Sequence, residues 1–244
     1  MTTAAAIIIG DEILSAKVRD ANTPLLIDLL AELGVELERI VVIGDDCESI
    51  ANEVAACSAK YDVVFTSGGV GPTHDDCTIK GVAGAFSVGV VVHPELEAMI
   101  RAYWGDRFTE SALRIAEMPE GSRLLYGDDG LLPLVVYDNI YLFPGVPRLF
   151  AAKLPSLRSE LTGTPKVLHG VFLNSDESRV APLLSRVAEE HPQVKIGSYP
   201  RFGEDVDHRL WISLESVDDN EVSAATNHLL ELVPDDEVVR VERS

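Results

Sequence analysis

The sequence is poor in cysteine and contains no long apolar run. Its three cysteines, Cys47, Cys57 and Cys77, form no C-x-x-C pair and no Cys/His cluster, which excludes a disulfide scaffold and a structural zinc site. No apolar stretch approaches the roughly 18–20 residues of a membrane span, and Met1–Gly10 lacks the basic region of a signal peptide. We therefore expect a cytoplasmic protein without membrane association.

Basic side chains are also scarce: 20 Lys and Arg stand against 40 Asp and Glu, for a formal net charge of −20. Nucleic-acid binding depends on Lys and Arg that neutralise phosphates, so this balance argues against a nucleic-acid partner and against an anionic membrane surface. A small anionic ligand must then be held by backbone amides or by a metal ion. With 46% hydrophobic residues over 244 positions, the chain has ample core for one large or two modest domains.

The first part of the chain alternates short β-branched runs with helical patterns. Thr23 is the expected N-cap of a helix that begins at Pro24 and ends before Gly34. The predicted strands cover 4–9, 35–43, 62–66 and 140–143, and the predicted helices cover 24–33, 48–59, 78–86 and 94–104. This alternation predicts an α/β fold with three α/β/α layers around a mostly parallel sheet, in a domain spanning residues 1–162.

A different pattern follows the linker Thr162–Pro165. It predicts a strand, a helix, two strands, a helix and a strand, at 166–172, 177–190, 194–199, 208–215, 220–232 and 237–241. This βαββαβ order is the split-βαβ arrangement of a small α+β domain, which we place at residues 166–244.

Ligands of an open parallel sheet bind beyond the carboxyl ends of its strands. Four predicted strand ends are followed by acidic or glycine-rich loops, at Gly10–Glu12, Gly44–Asp46, Ser67–Thr78 and Pro144–Pro147. Each loop alone is compatible with an ordinary turn, because Gly, Asp and Pro are turn residues. The four together favour a shared ligand site.

The loop after the third strand has the most specific pattern. Its glycines leave backbone N–H groups for an anion, and Thr78 opens the next helix, whose N-terminal end attracts a phosphate. It lacks the Gly-Lys-Ser/Thr of a P-loop and the third glycine of a dinucleotide fingerprint. The expected phosphate-binding residues of this loop are Ser67, Gly68, Gly69, Gly71, Pro72, Thr73 and Thr78.

Acidic side chains surround this expected phosphate site, and none of the four loops contains Lys or Arg. A divalent cation such as Mg²⁺, Mn²⁺ or Co²⁺ would relieve the repulsion between these acids and a phosphate, and it would activate water. Alternatively, Asp45 or Asp46 and Asp75 or Asp76 cap the helices that follow them. The acids of the four loops are Asp11, Glu12, Asp45, Asp46, Asp75 and Asp76.

These motifs resemble the molybdopterin-binding (MoaB/Mog-like) domain family. The matching strings are G-D-E-I-L at 10–14, D-x-N-T at 20–23, V-x-G-D-D at 42–46, S-G-G-x-G-P-T-x-D-D-x-T at 67–78 and P-G-V-P at 144–147. They are most similar to the N-terminal domain of competence/damage-inducible protein A and to the corresponding domain of FAD synthases, whose small second domain is resembled by Ile196–Pro200. The resemblance implies an α/β/α fold and a site built from these loops, including Asn22 and Gly145.

The resemblance implies one of two activities. The branch that contains the competence protein and FAD synthase is associated with metal-dependent hydrolysis of ADP-ribose or FAD, favouring Co²⁺ with K⁺, whereas the MoaB/Mog branch binds or adenylylates molybdopterin. The local patterns are closer to the first branch, so we expect a nucleotide pyrophosphatase that releases AMP and forms a homo-oligomer. The alternatives are a molybdopterin-binding protein and a module that binds without turnover.

For hydrolysis, we expect Asp75 and Asp76 to bind the metal and activate water, with Asp46 and then Glu12 as further ligands. The amides of the 67–73 segment would hold the charge that develops on the phosphate. Asn22 is expected either to cap a helix or to reach the ribose of the ligand.

Two segments depart from the family pattern. The family usually carries N-x-x-G-x-A-P-G ahead of P-G-V-P, whereas residues 127–134 read G-D-D-G-L-L-P-L. Arg148–Phe150 follows P-G-V-P where an acidic residue is common. Because the first segment normally approaches the ligand, these departures bear on substrate identity and turnover, and they favour the non-catalytic alternative.

Overall fold

A computed structural model gives the structure of residues 1–127, 130, 132–203 and 206–243. The chain divides into two compact units, Met1–Gly163 and Thr164–Ser244. Within the described ranges, no helix is long and apolar enough to cross a membrane.

Unit 1 alternates strands and helices along the chain, as the sequence predicts. Its described strands are β1 Thr3–Ile9, β2 Glu36–Ile43, β3 Val63–Ser67, β4 Val90–Val92, β5 Glu117–Pro119, β6 Arg123–Leu125, β7 Leu134–Tyr137 and β8 Ile140–Phe143. Its described α-helices are α1 Asp11–Leu14, α2 Asn22–Glu32, α3 Cys47–Lys60, α4 Thr78–Ala85, α5 Pro94–Trp104 and α6 Pro147–Lys153. Three 3₁₀ segments join them, at Gly105–Arg107, Glu110–Ala116 and Leu154–Ser159.

The main sheet of unit 1 has the strand order β2-β1-β3-β8-β7-β6. β2, β1, β3 and β8 are parallel, whereas β7 and β6 are antiparallel additions at one edge. β4 and β5 form a separate antiparallel pair. The predicted mostly parallel sheet is therefore confirmed.

Strand β1 shows why the apolar runs of this sequence are continuous. Ala4, Ala6 and Ile8 pack into a core on one face of the sheet, and Ala5, Ile7 and Ile9 pack into a second core on the other face. Leu26 and Leu30 of α2 belong to the first core, and Ile50 and Val54 of α3 belong to the second. Because both faces of the strand are covered by helices, an alternating polar pattern would bury polar groups.

The start of α2 differs from the prediction. The helix begins at Asn22, two residues before Pro24, and Thr23 lies inside its first turn instead of acting as the N-cap. The Asp20 carboxylate accepts hydrogen bonds from the amides of Asn22 at 2.9 Å and Thr23 at 3.1 Å. The Asp20 carboxylate thus satisfies the first two amides of α2, which allows the helix to begin before the Thr–Pro pair.

Unit 2 has the predicted βαββαβ order. Its described elements are β9 Val167–Leu173, α7 Glu177–Glu190, β10 Lys195–Pro200, β11 Leu210–Ser216, α8 Asp219–Leu232, a 3₁₀ turn at Asp235–Glu237, and β12 Val238–Arg243. The sheet is antiparallel with the order β10-β11-β9-β12. Val180 and Val187 of α7 and Val222 and Leu229 of α8 pack with the sheet in one core.

A stacked row of aromatic rings crosses the sheet of unit 2. Tyr199, Trp211 and Phe172 are cross-strand neighbours, with ring centroids 4.6 Å and 6.2 Å apart along the row. The Arg240 guanidinium lies 3.7 Å from the Phe172 ring centroid and closes one end. The row alternates with the core residues of the same strands and so lies on the face away from that core, where it stabilises cross-strand pairing.

Leu30 and Leu25 test how strongly the packing of α2 holds unit 1. Leu30 is 0% exposed and Leu25 is 38% exposed on the same helix. We expect Leu30→Ala to lower the free energy of unfolding by about 2–5 kcal/mol, because it leaves a cavity in the core. Leu25→Ala is the matched control and should cost about 0.5 kcal/mol or less. Urea titration measures both, and equal losses would contradict this account of the core.

Candidate functional site

Four loops meet at the carboxyl edge of the unit 1 sheet. The parallel neighbours β2, β1, β3 and β8 all end there. The Gly10 amide donates to the Ile43 carbonyl at 3.0 Å, and the Gly68 amide donates to the Phe143 carbonyl at 3.1 Å. The motifs that the sequence places after separate strands are therefore spatial neighbours.

The Gly-rich loop folds back on the start of α4. The Thr78 hydroxyl donates to the Gly68 carbonyl at 2.8 Å, and its amide donates to the Gly69 carbonyl at 2.9 Å. Gly68 has φ +107° and Gly69 has φ +64°, a region that favours glycine. A Cβ at Gly68 would also collide with the Ile9 carbonyl oxygen, and one at Gly69 with the Thr78 hydroxyl. These glycines are needed for close approach as well as for backbone conformation.

Asp76 binds its own loop. Its carboxylate accepts hydrogen bonds from the Gly71 amide at 2.7 Å, the Thr73 amide at 2.7 Å and the Thr73 hydroxyl at 2.5 Å. It does not cap α4, whose preceding residue Cys77 makes no side-chain cap. The carboxylate thus takes donors that were expected to bind a phosphate. Among the described residues, the amides of Gly69 and Val70 make no hydrogen bond and remain for a ligand.

Arg114 braces the Gly-rich loop from the 3₁₀ segment Glu110–Ala116. Its guanidinium donates to the carbonyls of Pro72 at 3.1 Å and Asp76 at 3.2 Å, and also to the Thr73 carbonyl. The sequence analysis missed this residue, because it lies about 40 positions beyond the loop in a segment without a motif. Arg114 brings a positive charge into contact with the loop, whereas the four strand-end motifs contain no basic residue.

Asn22 links two of the site loops. Its side-chain amide donates to the Ser67 hydroxyl at 2.9 Å and to the Gly145 carbonyl at 2.9 Å. Asn22 is 5% exposed, and its carbonyl oxygen makes no hydrogen bond within the described part of the chain. Asn22 is not a helix cap, because it is the first residue of α2, and its contact with a ribose stays a prediction. Asn22 instead holds the end of β3 against the P-G-V-P loop.

Asp46 is the N-cap of α3, as one of the two alternatives predicts. Its carboxylate accepts the Ser49 amide at 2.8 Å, and this hydrogen bond lowers the pKa of Asp46 below its ordinary value. The adjacent Asp45 points elsewhere and accepts the Asp11 amide at 2.9 Å. Asp46 therefore caps α3, whereas Asp45 holds the backbone after β1.

Asp45 lies in the field of three other carboxylates. Burial raises the pKa of Asp45 above its ordinary value, the hydrogen bond from the Asp11 amide opposes this, and the charges of Glu12, Asp11 and Asp75 raise it further. Asp45 was not among the expected catalytic residues. Sequence spacing did not separate it from Asp46, because either residue of the pair could have capped α3.

A cavity of about 810 Å³ opens above the Gly-rich loop, with Gly68–Pro72 among its lining residues. Most of the other lining side chains are apolar, among them Leu96, Ile100, Trp104, Ile115, Leu132 and Leu149. The described charged side chains that line it are Glu12, Asp76, Glu117 and Lys153. Part of the segment that departs from the family pattern lies here, at Gly130 and Leu132–Leu134, whereas Asp128, Asp129 and Leu131 fall outside the described residues. The cavity combines a polar backbone surface with apolar walls.

Residues 5–173 match the family described as probable molybdopterin binding domain, which covers more than half of the chain. The chain belongs to this molybdopterin-binding family. Residues 165–242 match a second family, described as FAD synthase, middle domain. The region that follows the molybdopterin-binding family domain is thus similar to the middle domain of FAD synthase.

Relatives of this chain differ in length. A protein from Pyrococcus horikoshii is 34% identical over 83% of this chain and 86% of its own length. A probable FAD synthase from Caenorhabditis elegans is 34% identical over 82% of this chain, but the match spans only 44% of that protein. A CinA-like protein from Myxococcus xanthus is 31% identical over 77% of this chain and 49% of its own length. The crystal structure of CinA from Thermoplasma acidophilum, at 27% identity and a TM-score of 0.60, covers 66% of this chain and 99% of that one.

The metal ligands expected from the molybdopterin-binding motifs are not assembled into one set. Asp76 is held by its loop and Asp46 by α3, while Asp75 and Glu12 are exposed. Among the described residues, no group of three or more His, Cys, Asp or Glu side chains is placed to hold a metal ion. The expected ligands therefore do not fit a divalent cation as they stand.

Asp45 and Asp46 provide a paired test of the acid group in this molybdopterin-binding domain. The pKa of Asp45 is raised in the folded protein, so the fold favours the protonated carboxyl over the carboxylate. The stability that Asp45 contributes is therefore fully present below its unfolded pKa and is lost as the pH rises through its folded pKa. We expect Asp45→Asn to raise the melting temperature at pH 7, with the gain shrinking as the pH falls. Asp46→Asn should lower it, because the stabilisation by a depressed pKa is present above the unfolded value and is lost as the pH falls. Thermal melts between pH 3 and pH 8 measure both, and parallel shifts of the two variants would contradict the assignment.

Arg114 is expected to hold the Gly-rich loop in place. Arg114→Ala should reduce the free energy of unfolding by about 1–3 kcal/mol, because it removes charge-assisted hydrogen bonds to three carbonyls. It should also speed hydrogen exchange at the loop amides 71–78. Arg148→Ala is the control, since Arg148 is exposed and makes no hydrogen bond within the described part of the chain. An unchanged hydrogen-exchange rate at these amides in Arg114→Ala would show that the loop keeps its conformation without the Arg114 hydrogen bonds.

Proposed function

We propose that the chain binds a small molecule that carries a phosphate group and a planar ring. The observation behind this proposal is the position of the Gly-rich loop in the lining of the 810 Å³ cavity. The amides of Gly69 and Val70 are available for a phosphate oxygen, and the surrounding side chains are mostly apolar, which suits a ring system. Arg114 supplies a positive charge beside the loop and offsets part of the repulsion from its acids.

The finer proposal is hydrolysis of the pyrophosphate bond of FAD or ADP-ribose. A water oxygen forms a bond to one phosphorus while the bridging P–O bond breaks, and the products are AMP and FMN or ribose 5-phosphate. The attacking water gives a proton to a carboxylate, and we assign this role to Asp45, which follows β2 at the same sheet edge as the Gly-rich loop and accepts the Asp11 amide there. Burial and neighbouring acids also raise the pKa of Asp45, which suits a base. The Gly69 and Val70 amides would hold charge on the phosphoryl oxygens.

Dependence on Mg²⁺, Mn²⁺ or Co²⁺, and on K⁺, belongs to this finer proposal. The carboxylates whose charges act on Asp45 are those that a cation would relieve, namely Glu12, Asp11 and Asp75. No step of the reaction is assigned to the metal, because the four expected ligands do not form one set.

The second candidate function is molybdopterin binding without turnover. It is favoured by the description of the matching family and by Asp76, whose carboxylate uses two of the loop amides. The same cavity would then hold the pterin ring and its phosphate, and the acids would have no catalytic role.

AMP release separates the two candidates. We expect the purified protein to release AMP from FAD or ADP-ribose in the presence of a divalent cation. The same assay is repeated with added K⁺ and with NAD as a third substrate. Asp45→Asn should reduce the rate by about a hundredfold or more while it retains ligand binding, because it removes the base but keeps the hydrogen-bond acceptor. Asp46→Asn is the matched control and should leave turnover nearly unchanged.

Two outcomes would count against hydrolysis. No AMP with any metal and substrate would remove it for these substrates, and a fluorescence titration with a pterin would then test the second candidate. Equal rates for Asp45→Asn and the wild type would remove Asp45 from the mechanism. Asp76→Ala is not diagnostic, because Asp76 also holds the loop. Homo-oligomer formation stays a prediction, which light scattering tests on the same samples.

A further inference from the structure

The side chains of the segment from Arg114 to Met118 contact the Gly-rich loop, a small hydrophobic core and the cavity. Arg114 reaches the Gly-rich loop, whereas Ala116 and Met118 are buried in a small core with Leu96 of α5. Ile115 and Glu117 line the cavity. The segment is thus fixed on two sides, by the loop contacts and by the core, and it presents Glu117 to the cavity from a held backbone.

Glu117 is a carboxylate among apolar neighbours. The residue is half-buried and its backbone lies in the β4–β5 ladder, but its carboxylate makes no hydrogen bond or ion pair with any residue that the structure describes. Leu96, Ile100 and Val135 line the same cavity. A carboxylate beside apolar walls is well accommodated only when a donor meets it, and a ligand that displaces water from this cavity must supply that donor.

The shared cavity of Glu117 and the Gly-rich loop restricts the ligand. Glu117 follows Arg114 by three residues, which limits their Cα separation to about 10 Å. Arg114 touches the loop that is proposed to hold the phosphate. A ligand with an anionic group at one end and a hydrogen-bond donor on its ring at the other end matches this arrangement.

We propose that Glu117 is the specificity-determining residue of the cavity and accepts a hydrogen bond from the exocyclic amine of a heteroaromatic ring. The apolar walls require a planar ring, and the carboxylate selects rings that carry an amine. Adenine and pterin both have this chemistry. The proposal rests on the proposed function only in placing the ligand in this cavity; it does not require hydrolysis.

The test compares ligands with and without the amine. Calorimetric titrations of the full chain use AMP against purine riboside 5′-monophosphate, in which hydrogen replaces the amine, and pterin-6-carboxylate against lumazine-6-carboxylate, in which oxygen replaces it. We expect the aminated member of at least one pair to bind about ten- to a hundredfold more tightly. The pair that discriminates identifies the ring.

Variants of Glu117 assign the discrimination to its carboxylate. Glu117→Met, of similar length but without an acceptor, should bind both members of the discriminating pair alike. Glu117→Gln keeps an acceptor and should retain part of the preference, which also covers the case in which Glu117→Met fails to fold. Glu120→Gln is the matched control, because Glu120 is exposed on the same segment and does not line the cavity.

Three results would overturn the inference. They are equal affinity of the wild type for both members of each pair, a preference that survives in Glu117→Met, and no binding of any of the four ligands. Binding with the expected preference but without AMP release from FAD or ADP-ribose would overturn only the hydrolysis proposal.

Discussion

The hydrogen bonds from Gly71 and Thr73 to the Asp76 carboxylate set the shape of the candidate site. They bring a negative charge of the chain itself to amides that a phosphate would otherwise use. These hydrogen bonds hold the loop from within, and the Thr78 and Arg114 contacts fix its two sides. A phosphate must either use the amides of Gly69 and Val70 or displace Asp76, and the second route would cost the loop its internal hydrogen bonds.

The cavity and the acids lie on different parts of the same edge. Asp45 and its acidic neighbours follow β1 and β2, whereas the apolar walls come from α5, the 3₁₀ segment before β5 and the start of α6. A ligand that spans both must have a polar, phosphorylated part and an apolar ring. A nucleotide and a phosphorylated pterin share this division, which is why the fold alone does not choose between them.

Much of the fold follows from local patterns. The continuous apolar runs of β1 and β3 predict strands covered on both faces, and the βαββαβ order of unit 2 is read from alternating periodicity. The error at α2 has a physical cause: the Asp20 carboxylate accepts the amides of Asn22 and Thr23, so the helix begins two residues before Pro24. The first residue of a helix depends on which nearby side chain accepts its free amides, and the sequence alone offers several acceptors, here Asp20 and Thr23.

The sequence by itself determined the fold class, the two-part organisation and the four loops that share the carboxyl edge, because strand periodicity and turn residues act over short distances. Only the tertiary structure decided the roles of individual side chains. It separated Asp45 from Asp46, made Asp76 and Asn22 supports of the loops, and brought Arg114 and Glu117 to the site from a segment without a motif. The reason is that hydrogen bonds and burial depend on positions in space, and residues distant in the chain become neighbours only when the sheet and its helices are packed.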